Sequence, residues 1–347
     1  MYIKKILFTI TLLGLVAAAI FAYFVYNTMF TPNTAFNNDR AFIYVKSTDN
    51  YNDVREQLEP LLLDIDAFDA LAKQKKYTTH TKAGKFAIKK GMNNNDIINS
   101  IRIKSLPVKV SFNNQETIEK LAGRISTQIE ADSISLINAM KDTAFLKKYD
   151  FNEATLLGMY LPNSYEFFWN TSAEGFRDRM LKEYNRFWNA KRNNKAKALG
   201  LSRTEVITLA SIVYEESKES IEQPRIAGLY LNRLKIGMPL DSDPTLKFAA
   251  YKLPKYKNTL IKRVLNIHKN IESPYNTYKN RGLPPGLITM PDISAIDAVL
   301  NYEKHKYLFM CADAKRFGYH KFAKTLAQHN VNAREYHRYL SSQGIFK

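Results

Sequence analysis

The sequence predicts an α+β protein in three parts: a single transmembrane helix, a small α+β domain, and a mixed, mostly helical larger domain. Three observations carry that prediction. Residues 6–26 form an uncharged apolar run, about the twenty residues that cross a bilayer as a helix. Strand-like and helix-like patterns alternate over 39–105, as in a compact α+β unit. Beyond 113 the apolar residues recur mainly at helical spacing. The 347 residues suffice for two domains behind a membrane anchor.

Residues 1–5 are a short tail carrying Lys4 and Lys5, and no further Lys or Arg occurs until Arg40. The positive-inside rule then puts the tail in the cytoplasm and the body outside the inner membrane. Ala17, Ala18 and Ala19 are small enough for signal cleavage. Apolar residues continue past them to Phe24, which favours an uncleaved helix. Residues 27–38 are polar, contain Pro32, and read as a tether of at most roughly 40 Å. Within 39–105 the pattern predicts a strand at 41–45, helices at 52–63 and on to 75, a strand at 82–88 and a helix at 95–103. The lysines of this stretch, from Lys73 to Lys90, make it basic: a solvated surface, or a contact for anionic lipid or wall polymer.

The larger domain, 106–347, opens on an alternating strand at 107–112. Helices are expected at 115–129 and 133–147, and a long one at 173–193 with Phe176, Met180, Tyr184 and Phe187 as its core stripe. Residues 155–171, with Pro162 and clustered aromatics, read as a loop. Ser202 with Glu205 is a capping-box signature that starts the next helix. Val206, Leu209, Ala210 and Val213 form its apolar stripe. Glu216 falls beside that stripe, and Glu215 falls with Thr208 and Ser211 on a far, polar face. A carboxyl held against apolar surface resists ionisation, which suits a general acid. Glu216 is therefore the candidate acid and Glu215 a solvated charge. A helix that simply ends in exposed acids is the plain alternative.

Composition narrows the function. Lys plus Arg total 51 against 33 for Asp plus Glu, a net charge of +18. That balance suggests a polyanionic neighbour. A body facing away from the cytoplasm, with no nucleic-acid-binding motif, argues against nucleic acid as partner. A single cysteine, Cys311, excludes an intramolecular disulfide and a cysteine-cluster zinc site. Its apolar neighbours predict a buried thiol. No HExxH, GxSxG, Walker or GxGxxG pattern occurs, and the six histidines lack metal-ligand spacing. No metal or cofactor is expected.

Downstream of Glu216, residues 224–237 have helical period, with Pro at the start and Gly at the end. Asn232 lies within them. The turn Asp241-Ser242-Asp243-Pro244-Thr245 follows. Tyr275, Asn276, Thr277 and Tyr278 then precede Gly282-Leu283-Pro284-Pro285-Gly286, which fixes a backbone path. Tyr, Asn and Thr on such a loop suit a sugar, through ring stacking and bonds from amides and hydroxyls, and an ordered turn is the alternative reading. An acid on a helix beside such loops fits glycoside cleavage.

The stretches LASIVYEES, AGLYLNRLKIGMPLDSDPT, ESPYNTYKNRGLPPGLI and HKFAKTLAQHN together resemble the endolytic murein transglycosylase (YceG-like) family, over essentially the whole chain. The resemblance implies that 39–105 is a LysM-like domain and 106–347 the catalytic domain. It implies cleavage of the β-1,4 bond between N-acetylmuramic acid and N-acetylglucosamine in nascent peptidoglycan strands, leaving 1,6-anhydro ends. It also implies peptidoglycan synthases as partners. The second Glu of the family's E-x-E pattern falls on Glu216. Tyr214 stands where the family commonly has the first Glu. In the expected mechanism Glu216 protonates the glycosidic oxygen, then takes the proton of the muramic C6 hydroxyl as that oxygen attacks C1. Asp241 and Asp243 are the helpers if a second acid is used, and turn capping is their other role. Asn232, Asp243, Thr245, Tyr275, Asn276 and Tyr278 are the expected supporting or sugar-positioning residues, with His320 and His329 behind them. A hydrolase of the same bond and a non-catalytic wall-binding scaffold are the rival readings.

Overall fold

The computed structural model describes residues 2–103, 105–256, 259–261 and 263–343. Met1 of the expected tail and 344–347 of the expected catalytic domain lie outside them. Helix α1 (Tyr2–Phe30) is 29 residues long, has no fully buried residue, and is long and apolar enough to cross a membrane. The chain divides into two compact units. The first holds Met1–Val110 with Thr127–Ala131 and Tyr165–Ser172, and the second holds the rest.

In the first unit, β1 (Arg40–Val45) pairs antiparallel with β2 (Gly84–Lys89), with Arg40 opposite Lys89 and Val45 opposite Gly84. Alternation points Ile43, Val45, Phe86 and Ile88 inward. Helices α2 (Tyr51–Leu58), α3 (Ile65–Gln74) and α4 (Asn94–Ile103) close over that face with Val54, Leu58, Phe68, Leu71, Ile97, Ile98 and Ile101. Each starts where a side chain can receive its free N–H groups. Asn50 and Asp53 make a capping box at α2, and Asp64 caps α3. Each element expected between 39 and 105 is present within a few residues.

Residues 27–38 differ from the expected tether. Helix α1 continues through Phe30, and Asn94 Nδ2 donates to the Thr28 carbonyl at 2.8 Å. Asn33, 5 % exposed, donates to Asp64 O and to Asn94 Oδ1 and accepts from Asp64 N, each at 2.7 Å. A buried amide with its bonds met holds the chain in place, so this segment is part of the unit.

Strands β3 (Pro107–Phe112) and β4 (Asn163–Phe168) form a two-stranded sheet. Strand β4 lies in the stretch expected as a loop; Pro162 and the aromatic run hid its alternation. In the second unit, α5 (Ile118–Ser126), α6 (Ser133–Met140) and α7 (Thr143–Lys148) come first. Helix α6 packs on α5 and on α8 (Ala173–Phe187). The long helix expected at 173–193 breaks after α8, because Asn189 accepts from Arg192 N and caps a new helix, α9 (Ala190–Leu199).

Helix α10 (Arg203–Glu216) is the hub of this unit. The Ser202/Glu205 capping box is present, with Ser202 N donating to Glu205 at 2.8 Å and Glu205 N to Ser202 Oγ at 3.2 Å. Around α10 pack α9, α11 (Gln223–Lys235), α12 (Asp243–Tyr251) and, after the short α13 (Asn266–Lys269), α14 (Ile293–Leu300). Enclosure on all sides buries every residue from Val206 to Val213. The polar face expected at Thr208 and Ser211 is therefore core, at 2 % and 0 % exposure. Ser211 Oγ donates to Thr208 O and accepts from Ile288 N, tying α10 to the loop at 282–288. The hairpin of β5 (Phe309–Ala312) and β6 (His320–Ala323) and the final helix α15 (Leu326–Ser342) complete the unit.

Candidate active site

Glu216 is the last residue of α10, and Ser217 leaves the helix with extended backbone. A helix C-terminus is a negative end, which opposes a carboxylate there. Tyr230 of α11 donates its hydroxyl to Glu216 Oε1 at 2.6 Å, and Ser242 Oγ donates to the same oxygen at 2.6 Å. Among the described residues nothing donates to Oε2. Burial raises the Glu216 pKa above the ordinary carboxyl value. The Ser242 and Tyr230 hydroxyls and the charge of His320 pull it partly back, and Asp243 adds to the rise. Tyr230 is itself pushed well above the usual phenol range by burial and by Glu216, so it stays a donor. Glu215 is exposed, as expected, and pairs with Lys218 at 2.9 Å.

Glu216 opens into a cavity of about 310 Å³, at the low end of small-molecule sites. Its wall also includes Tyr230, Arg233, Asp243, Tyr278, Cys311 and His320. Cys311 is thus half-buried on the cavity wall rather than enclosed in core.

The turn that delivers Ser242 is built by close bonding. Asp241 sits in the left-handed region at φ 50°, which aspartate tolerates better than most residues. Its carboxylate meets Arg233 at 2.9 Å. Arg233, 6 % exposed, also donates to the carbonyls of Pro239, Leu240 and Leu308. Ser242 N donates to Thr277 Oγ1 at 3.0 Å, Thr245 Oγ1 donates to Ser242 O at 2.7 Å, and the two threonine hydroxyls are 2.8 Å apart. The backbone holds Ser242 in place and leaves its hydroxyl for Glu216.

Of the residues expected from sequence, the structure gathers Glu216, Asp243, Tyr278 and His320 on one cavity, and Tyr278 OH donates to Asp243 at 2.7 Å. The others lie behind the wall or away from it. Thr245 braces the turn. Asn276, fully buried, donates to the carbonyls of Lys269 and Ile271 and accepts from Tyr278 N, so it shapes the loop. Tyr275 packs on Phe248, with ring centroids 4.7 Å apart. Asn232 donates to the carbonyls of His305 and Tyr307, where Gly228 lets the chain come close: a Cβ there would lie 2.3 Å from Glu303 O. His329 stacks beside Phe309 at 5.5 Å, and burial lowers its pKa. Sequence reasoning missed Tyr230, Ser242, Arg233 and Glu222. Ser242 lies in a stretch already singled out, but Tyr230 reads as ordinary helix core. Among the described residues, no cluster of three His, Cys, Asp or Glu could hold a metal.

Comparison with known proteins shows which family the chain belongs to. The sequence profile of the YceG-like family matches residues 43–335. A Bacillus subtilis protein named endolytic murein transglycosylase is 31% identical over 279 residues, which is 76% of this chain and 74% of that protein. A Streptococcus pneumoniae protein of the same name is 26% identical over 298 residues, 78% of this chain. The matched region spans 53% of the pneumococcal protein. The crystal structure of a putative yceG-like protein from Listeria monocytogenes superposes with a TM-score of 0.56 at 26% identity, covering 85% of this chain and 99% of that one.

Proposed function

We propose that this chain, which belongs to the YceG-like family, is an endolytic murein transglycosylase with Glu216 as its acid and then its base. The observation that carries the reading is one carboxyl on a cavity wall, with Oε1 held by two hydroxyls and, among the described residues, no donor to Oε2. Burial favours its protonated form. Protonated Glu216 gives its proton to the glycosidic oxygen between N-acetylmuramic acid and N-acetylglucosamine as that bond breaks. Tyr230 and Ser242 bear the negative charge left on the carboxylate. The carboxylate then takes the proton of the muramic C6 hydroxyl while O6 bonds to C1. The anhydro ring closes, Glu216 is protonated again, and no water is consumed. Asp243 and Tyr278 line the same wall and position the sugar.

A hydrolytic course would need a second carboxylate to activate water, and Asp243 on that wall makes it the competing reading. Mass spectrometry of digested peptidoglycan separates the two. Anhydro ends from the native protein, and none from Glu216→Gln, are the expected result. Products heavier by one water would overturn the transglycosylase reading, and a cutting Glu216→Gln would overturn the site. Helix α1 would cross the inner membrane with Lys4 and Lys5 inside and the body outside. Cleavage there falls beside nascent strands, ending their growth next to the synthases that make them. The strand–helix–helix–strand order of the first unit supports a LysM-like, glycan-holding role.

A further inference from the structure

Glu222 is a buried acid that the two proton transfers leave unused. It lies just before α11 with its side chain 4% exposed. Both of its oxygens are turned onto His320, the first residue of β6. Oε1 accepts from the His320 backbone N–H at 2.7 Å, and Oε2 is 2.9 Å from ring Nδ1. A carboxylate on Nδ1 makes that nitrogen the protonated one. Two bonds to a single residue, one to backbone and one to ring, hold the imidazole in one orientation on the cavity wall that it shares with Glu216.

Several charged and titratable groups line the cavity wall beside this ring. They are Glu216 of α10, Tyr230 and Arg233 of α11, Asp241 and Asp243 at the start of α12, Tyr278, and Cys311 of β5. Arg233, the other basic side chain on the wall, is committed to Asp241 and to three carbonyls. Among the described residues, no further basic group lines that wall.

We propose that Glu222 and His320 act as one unit that holds a positive imidazolium facing Glu216 during the interval in which Glu216 is ionised. This makes Glu222 a positioning residue for the reaction, acting through the ring. The inference rests on the reading of Glu216 as acid and base. It agrees with the direction of titration at both ends. Burial opposes the charged ring, but the hydrogen bond and charge of Glu222, helped by Glu216, outweigh it and raise the His320 pKa. The charge of His320 in turn lowers that of Glu216.

The test is the pH dependence of kcat on defined glycan strands for the native protein, Glu222→Gln and His320→Gln, with KM and Tm recorded beside it. Glutamine keeps an oxygen for the ring but carries no charge. Glu222→Gln is expected to lower kcat at neutral pH by on the order of tenfold to a hundredfold, with KM nearly unchanged. Its alkaline limb moves to lower pH, and activity recovers toward the native level in acid, where the ring is protonated without help. His320→Gln loses kcat similarly and does not recover in acid. A native profile for Glu222→Gln, or a loss equal at every pH, overturns the proposal. If Glu222→Gln fails to fold, His320→Gln decides: native kcat overturns the proposal, and a lowered kcat at native KM and Tm supports it. Glu216→Gln run in parallel separates the two ideas. If it still cuts, the reading of the site falls. If it alone is inactive, only the role of Glu222 and His320 falls.

Discussion

Replacing Ser242 with alanine removes one of the two hydrogen bonds on Glu216 Oε1. At 2.6 Å that contact is in the short range of hydroxyl–carboxylate bonds. A hydrogen bond to a charged group contributes about 1.5–3 kcal/mol. It strengthens as Glu216 becomes ionised, so its loss falls on the step that creates the charge. Each 1.4 kcal/mol or so is tenfold in rate, so kcat should drop by roughly ten- to a hundredfold. KM should hardly move, because Ser242 is not on the cavity wall. The turn should survive, since its bonds to Thr245 and Thr277 use the Ser242 backbone. Tyr230→Phe, which loses the other bond and keeps the ring, should act in the same direction, and the double variant should be slower than either. The assay is initial-rate release of anhydro-ended fragments, with thermal unfolding as a control. A Ser242→Ala protein with native kcat and native Tm would refute the argument that charge on Oε1 limits the reaction.

The remaining predictions concern stability. Glu216 holds its proton to higher pH when folded than when unfolded. Its contribution is therefore full below the unfolded value of about 4.3 and is lost as pH rises through the folded one. Denaturant titrations across that window should show Glu216→Gln losing less stability than the native protein with rising pH; parallel curves would contradict this. Asn276→Ala strands one buried and one part-buried carbonyl and one amide and should cost about 2–4 kcal/mol by urea unfolding. Gly228→Ala drives a methyl into the Glu303 carbonyl and should cost at least about 1–3 kcal/mol, read as a lowered Tm.

What was legible in the sequence was local. The cap of α10 is written in Ser202 and Glu205, three residues apart, and the position of Glu216 follows from counting along one helix. The elements of the first unit were readable because their strands alternate and their helices carry caps. What was hidden depends on distant partners. The face of Thr208 and Ser211 reads as solvated until four other helices enclose it. Asn232 and Asn276 have the chemistry of sugar ligands, but carbonyls brought near by folding use up their amides. Tyr230 has the spacing of a core residue, and its hydroxyl gains meaning only when α11 lies against the end of α10. Glu222, ahead of a proline, reads as helix-start chemistry until β6 returns from nearly a hundred residues downstream.

Helix α1 enters the first unit without slack, because Asn94 holds its last turn and Asn33 pins the residues after it. At about 1.5 Å per residue, 29 residues span roughly 44 Å, more than the ~30 Å hydrocarbon layer. Such a joint behaves as a shaft rather than a leash. Inserting one residue before Thr28 would swivel the unit by about 100° and lift it by about 1.5 Å, whereas inserting seven, close to two full turns, would nearly restore its bearing.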